Sequence, residues 1–123
     1  MTPSVEPTTE IPPQMPPARG NCDLLMLAVA AAFSVPAAEI RAASRRSPKV
    51  AFARQCAMYL AHVVFSLTLT DVGLAFGRDR TTAAHACALV ESRREQPEIE
   101  ALLDSLERVC VSLSLRVANE APR

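Results

Sequence analysis

The sequence predicts an all-α fold: a compact bundle of about six helices that contains a helix-turn-helix. Three observations carry that expectation. Half of the residues are apolar yet small, with no Trp, one Tyr and four Phe, a composition suited to closely packed helices rather than an aromatic-rich sandwich. From Asn21 onward the apolar residues recur at three- and four-residue spacing, with no strand alternation and no internal repeat. Two short helical stretches meet at Phe76-Gly77-Arg78-Asp79, where Gly suits a tight turn between helices. At 123 residues the chain has the length of one domain, which argues against a multidomain enzyme.

The segment from Met1 to Pro17 is rich in proline and cannot bury enough apolar surface to fold. Residues 1–20 therefore read as a disordered tail, 21–117 as the folded domain and 118–123 as a second disordered tail. Asn21 is a good N-cap for a first helix running to about Phe33. After Pro36 a short second helix covers about Ala37 to Ala43. The basic loop Ser44-Arg45-Arg46-Ser47-Pro48-Lys49 follows, in which Ser47 can cap and Pro48 suits the first helical position. The third helix is expected from Pro48 to about Ser66, burying Val50, Ala53, Ala57, Leu60, Ala61 and Val64. Thr68-Leu69-Thr70-Asp71 reads as a capping-box variant opening a short helix that ends at Gly77. Asp79 can cap a helix over about Arg80 to Arg94. Pro97 starts a last helix, to about Arg116, whose stripe is Ile99, Leu102, Leu103, Leu106, Val109, Cys110 and Leu113.

The N-terminal stretch has no cationic start followed by an apolar run, so it does not read as a secretory signal. Leu24 to Val35 is too short to span a membrane, which takes roughly twenty residues. The apolar region from Val50 to Phe76 is broken by Arg54, Gln55, His62 and Asp71. The expected location is cytoplasmic and nucleoid-associated, with no membrane partner. Cys22, Cys56, Cys87 and Cys110 are scattered without a CxxC pair, and each sits in an apolar helical context where a free thiol acts as a small hydrophobe. His85 and Cys87 are two apart on a helix and face different ways, so no metal site is expected.

The helix after the Gly turn begins Arg80-Thr81-Thr82, with His85 one turn on. In helix-turn-helix units, residues at that position enter the major groove and touch base edges. Arg can bind guanine in bidentate fashion, and Thr offers a hydroxyl or a methyl. Taken alone this is a weak signal, because paired short helices are common and charged helix starts are usually just solvated.

A longer pattern adds to it. Arg54-Gln55-Cys56-Ala57-Met58-Tyr59-Leu60-Ala61, Leu69-Thr70-Asp71-Val72-Gly73, Phe76-Gly77-Arg78-Asp79-Arg80-Thr81-Thr82 and His85-Ala86 occur in order. Together they closely resemble the C-terminal DNA-binding domain of the bacterial chromosomal replication initiator DnaA, its domain IV. The resemblance is close over residues 45–91 and holds in outline over 22–116. It implies double-stranded DNA as the partner. It implies base contacts by Arg46, from a loop inserted into the minor groove, and by Asp79, Arg80, Thr81 and Thr82 at the start of the recognition helix. It implies phosphate contacts by Arg45, Lys49, Arg54, Gln55, His62, Arg78 and His85. Arg80 stands where the family usually has a base-reading His, so the preferred sequence is expected to differ. His62 replaces a Lys and removes a fixed charge. Ala83 replaces a Val, and one Gly of the Gly-Gly form of the turn is missing.

No G-x-x-x-x-G-K-[ST] phosphate loop occurs in these residues. The resemblance is to the DNA-binding module alone, so no nucleotide, no cofactor and no catalysis are expected. The main functional reading is sequence-specific binding at DnaA-box-like sites, regulating replication initiation or transcription. The alternative is a protein-interaction module that engages the initiator DnaA or its regulators, favoured by the lost His and Lys and by the acids of the last helix, Glu98, Glu100, Asp104 and Glu107. The formal net charge of zero first argues against a nucleic-acid partner. Its distribution does not. Between Arg41 and Arg94 nine basic residues face three acids, for a net +6, and the rest of the chain carries −6. A basic reading head thus lies between acidic flanks, with weaker long-range attraction to DNA than a uniformly basic domain has.

Overall fold

The computed structural model describes residues 17–42 and 47–120. Six helices occur among them: α1 (Pro17–Phe33), α2 (Ala37–Arg41), α3 (Pro48–Val63), α4 (Leu69–Phe76), α5 (Arg80–Arg93) and α6 (Pro97–Glu120). There is no strand among the described residues. The all-α bundle with its helix-turn-helix is therefore as the sequence predicts.

α3 is the central element, with α1, α2, α4, α5 and α6 all packed on it. It starts where expected: Ser47 Oγ accepts the Val50 N–H at 3.3 Å, and Pro48 opens the helix. Its burial is wider than one stripe, because Cys56 to Ala61 are all buried. A helix covered on most sides can be apolar almost all round. It ends at Val63, short of the predicted Ser66, which takes a left-handed φ of 59°.

α1 begins at Pro17, so Asn21 lies inside the helix and does not cap it. The predicted start counted a capping residue and overlooked Pro17, which suits a first helical position because its missing N–H would be unbonded there anyway. α1 buries Cys22, Leu25, Met26, Val29 and Ala30. It ends in a Schellman turn: Val35 N–H bonds Ala30 O at 3.0 Å, Ser34 N–H bonds Ala31 O at 3.2 Å, and Ser34 takes φ 57°. α6 runs four residues past the predicted Arg116 and packs on α1 and α3, with Leu103, Leu106 and Cys110 buried. Val109, placed in its buried stripe by spacing, is 44% exposed.

The α4–α5 unit is built by its caps. Thr68 Oγ1 accepts the Asp71 N–H at 3.1 Å. At the other end Gly77 has φ 67°, Arg78 N–H bonds Gly73 O at 2.7 Å and Gly77 N–H bonds Leu74 O at 3.3 Å. Gly73 is needed for a different reason. A Cβ there would stand 2.6 Å from the Arg78 carbonyl oxygen, so α4 and the turn approach too closely for any side chain.

Cys56, Cys87 and Cys110 are free thiols. Burial pushes the Cys56 thiol up to about 12, against a smaller opposing effect of Arg93, and the Cys110 thiol up to about 11, with Glu107 adding to it. At pH 8 both are protonated and weak nucleophiles. A disulfide-exchange reagent is expected to label half-buried Cys87 first and to reach Cys56 and Cys110 only as urea unfolds the chain, as a time course of thiol release would show. Gly77→Ala is expected to cost about 1 kcal/mol through its left-handed φ. Gly73→Ala should cost more, about 2–3 kcal/mol, because backbone must move. Urea melts of both variants check that order.

Candidate nucleic-acid interface

The expected reading head starts at the N-terminus of α5. Asp79 Oδ1 accepts the Thr82 N–H at 2.7 Å and so sets where the helix begins. Ala83, Ala86 and Val90 turn inward and are buried. The small alanines let α5 lie close along α3, and Arg80, Thr81, Thr82 and His85 are left exposed on the outer face. Arg80 forms no ion pair among the described residues. It sits at the positive end of the helix dipole, where a cation is disfavoured and an anion is stabilised.

α3 supplies the facing wall. Gln55 and Met58 meet Thr81, Thr82 and His85 across a groove of about 830 Å³, with Arg54, Arg78 and Gly77 also on its lining. The N-terminal halves of α3 and α5 open onto the same groove. Lys49 is exposed in the first turn of α3. His62 lies farther along α3, and its Nδ1 is 2.7 Å from the Leu67 carbonyl oxygen, where it supports the turn after the helix. Arg45 and Arg46 lie outside the described residues.

Two of the expected phosphate contacts are engaged inside the protein. Arg54 is only 5% exposed. Its Nε donates to Ile40 O at 2.6 Å, and its Nη2 donates to Glu39 O at 2.7 Å and Ala42 O at 2.8 Å. In this structure the Arg54 guanidinium, expected at a phosphate, is bonded to backbone carbonyls at the edge of the groove. Its guanidinium caps the carbonyl end of α2, where a cation is favoured. Arg78 is half-buried, and its Nη2 donates to the same Ala42 carbonyl at 2.9 Å while Nη1 reaches Phe76 O at 3.2 Å. Asp79 likewise has one carboxylate oxygen engaged in its cap. The groove floor of Ala51, Met58 and Ala86 was not singled out from the sequence, because apolar residues at helical spacing signal core and not a lining.

The other end of α5 carries a network that sequence spacing did not reveal. Arg94 Nε bonds Glu100 Oε1 at 2.6 Å, and its Nη1 bonds Glu107 Oε2 at 2.5 Å and the Tyr59 hydroxyl at 3.0 Å. Tyr59 in turn donates to Glu91 Oε1 at 2.9 Å. The partners lie on three helices far apart in sequence, so no local pattern announces them. Among the described residues no group of three or more His, Cys, Asp or Glu could hold a metal ion, and no helix is long and apolar enough to cross a membrane.

Compared with known proteins, residues 22–90 match the family described as bacterial dnaA protein helix-turn-helix. The chain belongs to that family. It is 37% identical over 86 residues to the chromosomal replication initiator protein DnaA of Lachnoclostridium phytofermentans, covering 68% of this chain and 19% of that protein. It is 34% identical over 90 residues to chromosomal replication initiator protein DnaA 2 of Chlamydia trachomatis, again 19% of its length. A crystal structure of a DNA replication initiation factor superposes with a TM-score of 0.71 at 29% identity, covering 78% of this chain and 30% of that one. The chain thus spans about a fifth of the length of the initiators it matches. Within the DnaA helix-turn-helix family its turn is the α4–α5 unit described above.

Removing the Arg54 side chain leaves three carbonyls without that donor. Arg54→Ala is expected to destabilise the fold by about 3 kcal/mol, measured by urea denaturation. Asp79 is held below the usual carboxylate range, first by the Thr82 backbone N–H and then by the Thr82 hydroxyl. Its capping contribution is therefore present at neutral pH and is lost as pH falls through that lowered value. Asp79→Asn keeps an uncharged cap and should flatten the acid side of the melting temperature–pH curve, whereas Asp79→Ala should lower melting temperature at neutral pH.

Proposed function

We propose that this chain binds double-stranded DNA sequence-specifically, at sites resembling the DnaA box, and acts without catalysis in replication initiation or transcription control. The observation that carries this reading is the exposed set Arg80, Thr81, Thr82 and His85 at the capped start of α5, on a turn belonging to the DnaA helix-turn-helix family. α5 enters the major groove by its first turn, so that Arg80 reads a base edge and Thr81 and Thr82 add hydroxyl and methyl contacts, with Asp79 beside them. Arg46 reads the minor groove from the basic segment, flanked by Arg45. Lys49, Gln55, His62 and His85 hold phosphates, Gln55 and His85 from the lining of the α3–α5 groove.

A second reading keeps one observation of its own. Leu74 on α4 is 69% exposed, and the outer face of α6 carries exposed Glu98 and Glu100 that DNA would repel. Those surfaces suit a protein partner, the initiator DnaA or one of its regulators. A pull-down retaining the initiator in a Leu74→Lys-sensitive manner would support it.

Fluorescence anisotropy with a DnaA-box duplex and a scrambled duplex across a salt series tests the first reading. Preference for the box at moderate salt is expected; equal weak binding to both would overturn it. Arg80→Ala should lose about 1–3 kcal/mol of discrimination. Lys49→Ala should instead weaken both duplexes alike and reduce the salt slope by about 0.9.

A further inference from the structure

We propose that Arg93, in the last turn of α5, is a further phosphate contact: its guanidinium, seated over the Phe52 ring between Gln55 and Lys49, takes one phosphodiester of the DNA backbone. The inference rests on the DNA-binding reading and deepens it.

Most arginines of this fold are already engaged. Arg41, Arg94 and Arg108 are in ion pairs, and Arg54 and Arg78 donate to backbone carbonyls. Arg93 is exposed and forms no ion pair among the described residues. The acid beside it along α5, Glu91, accepts from the Tyr59 hydroxyl at 2.9 Å. Residues two apart on a helix do not face each other, so Glu91 leaves Arg93 unneutralised. Arg93 is also in place before any ligand arrives. Its Cζ stands 4.7 Å from the centroid of the Phe52 ring, and that ring meets Phe33 edge-on at 5.8 Å. An aromatic ring takes the face of a guanidinium and leaves its N–H edge free, and that edge matches two phosphate oxygens. A side chain ordered in advance loses less entropy on binding.

The position of Phe52 on α3 says what Arg93 meets. At about 100° per residue, the order around the first turns of α3 is Ala51, Gln55, Phe52, Lys49. Ala51 and Gln55 line the groove, and Lys49 is exposed in the first turn. A sugar–phosphate strand that touches both Gln55 and Lys49 therefore crosses the side of α3 that carries Phe52 and, over it, the Arg93 guanidinium. α5 is then held to the duplex at both ends. Its first turn reads base edges, and its last turn neutralises a phosphate without reading sequence. The C-terminal position suits the cation as well, since the helix dipole favours positive charge there.

The test titrates Arg93→Gln, Arg93→Lys and Phe52→Leu against the box and scrambled duplexes across a salt series. Arg93 is exposed, so its variants are expected to fold, which circular-dichroism melts check. Arg93→Gln should bind both duplexes about three- to tenfold more weakly and lower the salt slope by about 0.9, with the preference for the box unchanged. Arg93→Lys keeps the charge and should keep the slope. Phe52→Leu keeps an apolar side chain but removes the ring; it should weaken binding in the wild type and add nothing in the Arg93→Gln background. Stacking that serves the fold alone would lower the melting temperature of Arg93→Gln and leave its slope at the wild-type value, which overturns the proposal. So does a Phe52→Leu penalty as large in Arg93→Gln as in the wild type. If the wild type binds both duplexes alike while Arg93→Gln still lowers the slope, sequence-specific reading falls and the phosphate contact stands; if it binds neither, both fall.

Discussion

One buried charge organises this fold. Among the described residues Arg54 is the buried charged residue in a core of apolar side chains, and a guanidinium in that position is costly unless its donors are bonded. Its acceptors are the carbonyls of Glu39, Ile40 and Ala42. α2 has five residues, too few to stand alone as a helix. It persists because Ile40 is in the core and because Arg54 reaches from α3 to satisfy its end. The same α3 carries the other helices on its remaining sides. The end of α2 and the seat of the helix-turn-helix therefore share one support.

Charge is sorted by structure in a way that totals conceal. Arg41 pairs with Asp23, Arg94 with Glu100 and Glu107, and Arg54 and Arg78 face carbonyls. The cations left on the face of the groove are fewer than the basic count between Arg41 and Arg94 suggests. Among the described residues Arg80 and Lys49 form no ion pair. For the proposed DNA contact, so few unpaired charges make shape and helix dipoles count for more than bulk electrostatic attraction.

α6 lies beyond the residues matched to the family, yet it is locked to that matched part rather than appended to it. Arg94 links it to α3 and α5 through Tyr59, with its guanidinium 5.8 Å from the Tyr59 ring. Hydrogen bonds to Glu100 foremost, then to Glu107 and Tyr59, hold Arg94 firmly protonated. Nearby, Arg93 lies 4.7 Å over the Phe52 ring, which meets Phe33 edge-on at 5.8 Å. The C-terminal end of α5 is thus a rigid anchor, and its N-terminal end is the exposed one.

By itself the sequence determined the helices and their caps, because these are local chemistry. Ser47, Thr68, Asp79 and Gly77 act within three or four residues of themselves, and each stands where its spacing predicted. The family pattern likewise pointed to Arg80, Thr81 and Thr82 at a helix start, and the structure leaves those three exposed. Capping chemistry misplaced the start of α1, since Asn21 and Pro17 both suit a helix N-terminus and the helix begins at Pro17. Ser34 closes α1 and Ser66 lies in the turn after α3, both with positive φ, which residue type does not announce. What an arginine does was beyond local reading. Arg54 and Arg78 look like solvated cations in a basic stretch, but Arg54 bonds carbonyls twelve or more residues away on and just after α2, and Arg78 reaches the Ala42 carbonyl as well as its own turn. A guanidinium's role is set by which acceptors surround it, and only the tertiary structure brings those acceptors together.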